Sequence, residues 1–247
     1  MKLTGNTILI TGGSTGIGLA LAERFIKAGN TVIICGRRDH ALQEAKEQFP
    51  HLITRICDVG NETDRIALFE WVTTNYPDTN VIVNNAGIGH YFKLLQAKEP
   101  WHYYQSEIAI NFAAPVHLSM LFAPFFADKK EAAIINVTSG LAFTPLAIGP
   151  IYSATKAAMH SFTMSLRHQL SDTSIEVIEI APPAVATTFT NGSGEPLDAF
   201  ADSVFEGLQE GKPEIGYGSS ISRLRMSRDE IDVYVENMYQ AMKSAIE

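Results

Sequence analysis

Apolar residues along this chain fall into short β-branched runs that alternate with stretches of helical period. The first run, Thr7 to Thr11 (TILIT), leads straight into Gly12-Gly13-Ser14-Thr15-Gly16-Ile17-Gly18. An amphipathic pattern then predicts a helix over Leu19 to Ala28, stopped by Gly29-Asn30, and Thr31 to Cys35 reads as a second strand. Strand, glycine-rich turn, helix, strand is a βαβ unit with parallel strands and a right-handed crossover. The alternation continues with helices over Ala41 to Gln48 and Glu62 to Asn75, and strands over Ile53 to Cys57 and Val81 to Val83. A long helical zone from about His102 to Phe126 precedes a strand at Ala133 to Val137. A helix from about Tyr152 to Leu170 precedes a strand at Ser174 to Ile180. After Pro182 the pattern weakens to a short helix near Asp198 to Gln209, a strand near Glu214 to Tyr217 and a last helix from about Arg228. Repeated βα alternation without a low-complexity linker predicts a single α/β domain. Its expected form is a doubly wound parallel sheet of Rossmann type, with helices on both faces.

Composition narrows the function rather than the fold. With 247 residues, 46% of them hydrophobic and 19% charged, the chain has the material for one ordinary globular core. A net charge of -8 and scattered basic residues argue against nucleic acid as a partner. The start, Met1-Lys2, passes directly into a strand-like run, and no uninterrupted apolar run has the length of a membrane span, so a cytoplasmic protein is expected. The two cysteines, Cys35 and Cys57, sit in strand-like runs and read as buried small side chains rather than as a disulfide. No three-ligand metal pattern is present, and His90 and His102 read more simply as structural residues than as substrate contacts.

Candidate chemistry lies at two places. Glycines between a strand and a helix let the backbone approach a pyrophosphate, whose charge meets the free N–H groups of the helix start. The spacing Gly12, Gly16, Gly18 departs from the generic G-x-G-x-x-G fingerprint, but its position after the first strand favours a nucleotide over a plain turn. The second place is Ser139 with Tyr152 and Lys156. On a helix the spacing of four stacks phenol and ammonium on one face, and a neighbouring ammonium lowers a phenol's pKa toward use as an acid/base. A Tyr and a Lys share a helix face by accident often enough that the pair alone proves little.

The whole set is similar to the short-chain dehydrogenase/reductase family. The matching runs are Thr11 to Gly18, Asp58-Val59, Asn84-Asn85-Ala86-Gly87, Asn111, Ser139 and Tyr152-Ser153-Ala154-Thr155-Lys156, in the family's order. Met1-Lys2-Leu3-Thr4, Val137 to Phe143 and Ala181-Pro182-Pro183 further resemble the bacterial branch named after the DltE oxidoreductases. The resemblance implies that Asp58 binds the adenine amino group, with Val59 beside it, and that Asn85-Ala86-Gly87 line the adenosine ribose. It implies a cofactor turn of Gly12, Ser14, Thr15, Gly16, Ile17 and Gly18. It makes Asn111 the holder of a relay water, Ser139 the binder of the substrate oxygen and Tyr152 the proton donor or acceptor. Lys156 would lower the Tyr152 pKa and bind the nicotinamide ribose. A cofactor half is expected over residues about 1–130 and a catalytic and substrate part over about 131–247. One departure is Pro183, where the family has glycine; it bears on the nicotinamide contacts expected of Pro182, Val185 and Thr187, because proline has a fixed φ and no N–H.

The second strand ends Cys35-Gly36-Arg37-Arg38, with glycine where an NAD enzyme carries a carboxylate for the ribose 2′-hydroxyl. Arg37 and Arg38 suit a 2′-phosphate, so NADP(H) is expected ahead of NAD(H), although Thr15 stands where a second basic residue often helps. A solvated helix start is the plainer reading of the two arginines. The substrate wall is expected from Gly89 to Leu95, Leu141 to Ile151 and the segment after Thr187, with Tyr91, Phe92, Phe143 and Leu146 making it apolar. The implied activity is hydride transfer between NADP(H) and a small carbonyl or alcohol substrate; a cofactor-binding sensor without turnover is the alternative. Apolar residues spread around the helices at His102 to Phe126 and Tyr152 to Leu170 predict a homodimer or homotetramer.

Overall fold

The computed structural model describes residues 1–246. Its strands are β1 (Thr7–Thr11), β2 (Thr31–Gly36), β3 (Ile53–Ile56), β4 (Thr79–Asn84), β5 (Ala132–Val137), β6 (Ile175–Ala181) and β7 (Glu214–Gly216). They form one parallel sheet in the order β3-β2-β1-β4-β5-β6-β7. The helices are α1 (Gly16–Lys27), α2 (Asp39–Gln48), α3 (Glu62–Asn75), α4 (Trp101–Ile108), α5 (Ala114–Phe126), α6 (Pro150–Gln169), α7 (Leu197–Gln209), α8 (Ser219–Arg223) and α9 (Arg228–Ile246). The direction of the strand order reverses between β1 and β4, which opens a crevice beyond their carboxyl ends. The predicted doubly wound α/β domain is the observed fold.

Strands that are apolar throughout are buried on both faces, and the helices divide accordingly. One core layer joins the sheet to α1, α2 and α7 through Leu21, Phe25, Leu42, Phe200 and Val204. The other joins it to α3, α5 and α6 through Leu68, Val72, Leu118, Phe122, Phe126 and Leu166.

The long helical zone predicted as one regular helix is broken by a wide π turn at Ala109–Ala113, between α4 and α5. Pro115 explains it: with no N–H, it cannot bond the Asn111 carbonyl four residues back. The widened turn lets Ile110 and Asn111 point inward together with Leu118, Phe122 and Phe126. Trp101–Phe126 as a unit has the length and composition to cross a membrane, with mean hydropathy 1.5 and 39% of its most apolar stretch buried. Here its inner face is core and it carries Asn111 against the β4 turn. The short helix α8 was missed by pattern reading, since a helix of five residues has too few turns to show a period.

Candidate active site

The β1 turn and the β4 turn are built against each other. Thr11 Oγ1 accepts from the Asn85 and Ala86 amides at 3.0 and 3.1 Å, and Asn85 Nδ2 donates to the Thr11 carbonyl at 2.9 Å and the Gly12 carbonyl at 3.1 Å. Glycine is obligatory at two points of this joint. Gly12 has φ +62°, and a Cβ there would lie 2.8 Å from Ala86 Cα; a Cβ on Gly18 would lie 2.5 Å from Asn85 Nδ2. The turn opens onto the start of α1, where Thr15 makes no capping bond and the first turn holds no acidic residue. Uncapped amides at a helix start form an anion site. Gly18 serves that site from behind, while Gly12, Ser14, Thr15, Gly16 and Ile17 line the crevice directly.

The crevice is a cavity of about 720 Å³. At one end stand Gly36, Arg37, Arg38, Asp58 and Val59; at the other stand Ser139, Leu146, Tyr152, Lys156 and Phe189. Asn85, Ala86, Gly87, Pro182, Val185 and Thr187 line the stretch between. These dimensions, with the anion site midway, fit a dinucleotide. Pro183 is accommodated: the Pro182 carbonyl accepts from the Gly140 amide at 2.8 Å, and paired bonds of Ala184 and Ala186 with Glu195 hold the segment beyond. At the first end Arg37 Nη1 lies 3.8 Å from Asp58 Oδ2, both side chains about half exposed. A Cβ on Gly36 would approach Ser14 Oγ at 3.4 Å, so glycine leaves space open beside that hydroxyl.

Ser139 caps the turn after β5 by accepting from the Leu141 amide at 3.1 Å. Tyr152 and Lys156 lie one turn apart on α6, and both are buried along with Ser139. The Lys156 ammonium donates to the Val137 carbonyl at 2.9 Å and lies 5.6 Å from the centre of the Tyr152 ring. Behind them Asn84, Asn136 and Thr163 form a hydrogen-bonded row, at 2.9 Å per link, that fixes β4, β5 and α6 together.

The electrostatics differ from the sequence expectation. Burial pushes the Tyr152 phenol well above its ordinary value, assisted by Tyr91, with the Ser139 hydroxyl pulling the other way. Burial also lowers Lys156 to about 8. Desolvation of both groups therefore outweighs the lowering of the phenol that the spacing predicted. Asn111 stands behind the cavity wall, its amide accepting from the Ile88 N–H at 2.9 Å and donating to the Ile88 carbonyl at 2.8 Å and Thr155 Oγ1 at 3.2 Å. Its Oδ1 and the Lys156 ammonium nevertheless flank one point above Gly87, at 3.5 and 3.6 Å from where a Cβ would stand.

Of the four residues expected to make the substrate wall apolar, Tyr91 and Leu146 line the cavity. Phe92 packs on Tyr104 and Phe143 on His160 instead. Phe189, 5.7 Å from the Tyr152 ring, lies in the expected segment after Thr187 without having been singled out. Arg223 and Met238, from α8 and α9, were not expected at all; that part of the sequence is too weakly patterned to place against the cavity.

A parallel α/β sheet with a crevice joining an anion-binding helix start to a serine, a tyrosine and a lysine defines a nucleotide-binding oxidoreductase. The model of the short chain dehydrogenase family matches residues 6–197, and the chain belongs to that family. It is 51% identical to the uncharacterized oxidoreductase DltE of Bacillus subtilis (strain 168), over 87% of this chain and 89% of that one. It is 29% identical to the NADP-dependent 3-hydroxy acid dehydrogenase YdfG of Escherichia coli (strain K12), over 84% of each. In fold it is similar to a short chain dehydrogenase/reductase from Burkholderia phymatum in complex with NAD, with a TM-score of 0.85, 20% identity, and coverage of 95% of this chain and 96% of that one.

Proposed function

We propose that the protein is an NADP(H)-dependent oxidoreductase acting on a C=O/CH–OH group of a small molecule. The observation that carries this is the burial of Ser139, Tyr152 and Lys156 side by side at one end of a cavity whose middle is an anion-binding helix start. Gly12, Ser14, Thr15, Gly16, Ile17 and Gly18 form the turn that holds the pyrophosphate. Asp58, Val59, Asn85, Ala86 and Gly87 hold the adenosine, and Lys156, Pro182, Val185 and Thr187 the nicotinamide side. A nicotinamide held there would supply the hydride chemistry at the substrate carbon. Ser139 holds the substrate oxygen, and Tyr152, protonated at neutral pH, gives that oxygen a proton as the carbonyl is reduced. Lys156 and Asn111 flank a point where a water can return the proton.

NADP(H) rather than NAD(H) is the proposed cofactor. Gly36 offers no carboxylate to repel a 2′-phosphate, and Arg37 and Arg38 stand at that end of the cavity. The NADP dependence named for the YdfG relative agrees with this choice. Two free cysteines fit a reducing, cytoplasmic location. Assembly into a homodimer or homotetramer is proposed from the outer faces of α4, α5 and α6.

The test is a screen of carbonyl and alcohol compounds with each cofactor, followed at the reduced-nicotinamide absorbance. Turnover should require NADPH or NADP, and NADPH should bind more tightly than NADH. Tyr152→Phe should lower kcat by about 100-fold or more while NADPH binding persists. Near-normal turnover by that variant would remove Tyr152 from the mechanism.

A further inference from the structure

The roof of the cavity over Ser139 comes from α8, and one side chain there has no place in hydride transfer. Arg223 lies across Gly140, the residue after Ser139: a Cβ on Gly140 would stand 3.2 Å from both Arg223 Cδ and Nη1. The guanidinium is held by one nitrogen only. Its Nη2 donates to Ser219 Oγ at 3.3 Å and to the Tyr234 hydroxyl, and its carbon lies 4.8 Å over the Tyr234 ring. Nε is buried and, among the described residues, has no hydrogen-bond partner.

The charge is equally unanswered. Among the described residues no carboxylate pairs with Arg223, whereas Arg225, two positions on, pairs with Glu214 at 2.8 Å. Arg24 and Arg167 likewise have acidic partners, Asp198 and Glu214. A half-buried guanidinium stacked in place without a counter-ion is costly unless an anion approaches its accessible Nη1. The cofactor's phosphates do not meet that need, because the α1 start that binds them lies along the crevice at Gly12 to Gly18, while Arg223 sits against Gly140 at the Ser139 end.

We infer that Arg223 binds the carboxylate of the substrate, and that the substrate is a small hydroxy acid or its oxo-acid counterpart. This rests on the oxidoreductase reading of the site and adds the substrate class to it. The carbinol or carbonyl oxygen lies at Ser139 and Tyr152, the carboxylate lies against Arg223 Nη1, and Leu146, Tyr91 and Phe189 enclose the carbon chain between them. The carboxylate takes no part in the bond changes. It fixes which carbon faces the hydride, and a guanidinium held in place by Ser219 and Tyr234 serves that purpose as a fixed positive charge.

The test compares 2-, 3- and 4-hydroxybutanoate with their methyl esters as substrates of the protein with NADP. In the parent, kcat/KM for at least one acid should exceed that for its ester by about tenfold or more. In Arg223→Gln that acid-to-ester ratio should fall about 10- to 100-fold, mainly through KM, with Arg223→Lys in between. Tyr234→Phe, which loosens the tie between α8 and α9 but keeps the charge, should preserve the ratio. Equal losses on acid and ester in Arg223→Gln would overturn the inference and make Arg223 a strut for α8. So would a parent that turns over the esters as well as the acids. Calorimetric titration of butanoate and butanamide into the NADPH complex separates this inference from the reading beneath it. Tighter binding of butanoate, lost in Arg223→Gln, upholds the anion site even where no compound is turned over, an outcome that would count against the oxidoreductase reading instead. Equal binding of the two overturns the anion site.

Discussion

Lys156, proposed to act in catalysis, is kept at a cost to stability. Its folded-state pKa is lowered to about 8 by burial, against an ordinary value of 10.5. Below pH 8 the native protein must therefore hold a buried ammonium that the unfolded chain would leave in water. That handicap is full below about pH 8 and vanishes as pH rises toward 10.5; its upper bound is roughly 3 kcal/mol. Lys156→Met should consequently raise stability to denaturant at pH 7 by about 1–3 kcal/mol, less what the orphaned Val137 carbonyl takes back, while abolishing turnover. The gain should shrink across pH 8 to 10.5. A gain that is absent, or independent of pH, would mean the ammonium is effectively solvated. The same desolvation raises the Tyr152 phenol, and spacing in a sequence could not have shown it: Tyr152 and Lys156 were legible as a pair, but the dielectric around them is a property of the packed core.

At the scale of elements, the π turn between α4 and α5 decides where Asn111 works. Its amide binds both backbone groups of Ile88, so the residue is a clamp on the β4 turn, and any part it has in proton relay depends on that clamp. Asn111→Ala should lower stability by about 1–3 kcal/mol and also lower turnover, because two partly buried backbone groups lose their partner and the wall at Gly87 moves. Thermal denaturation alongside activity decides it; a variant as stable as the parent but inactive would make Asn111 a water holder only. The βα alternation was readable because most strands are rich in β-branched residues and the long helices have a face to bury. The strand ends lay within two residues of the pattern. The π turn was not read, although Pro115 marked it, since a single proline near a helix start passes as ordinary. The cavity's floor of glycines and its Ser139, Tyr152 and Lys156 end were legible from motifs of local spacing. Arg223 was not, because it reaches the site from α8, 67 to 84 residues further along the chain, through contacts that leave no local pattern.

For the whole molecule, the distribution of exposed apolar side chains bears on assembly. The helix unit Trp101–Phe126 buries Ile110, Leu118, Phe122 and Phe126 inward, yet Ile108 is 37% and Met120 66% exposed on its other side. On α6, Met159 and Leu166 are buried while Met164 is 44% exposed. Exposed methionines on neighbouring helices, one of them in a helix as apolar as a membrane span, are adaptable side chains suited to a packed interface. A closed two-fold arrangement would place these faces against their own copies. It would also steady the outer side of α6, whose inner side carries Tyr152 and Lys156. Light scattering at micromolar concentration should therefore give at least twice the chain mass of 27.0 kDa. Met120→Glu combined with Met164→Glu puts carboxylates into the proposed interface and should shift the protein toward monomer, with turnover falling more than NADPH affinity. A parent that is monomeric and fully active would show that α6 needs no partner, and would leave these apolar faces without a role in catalysis.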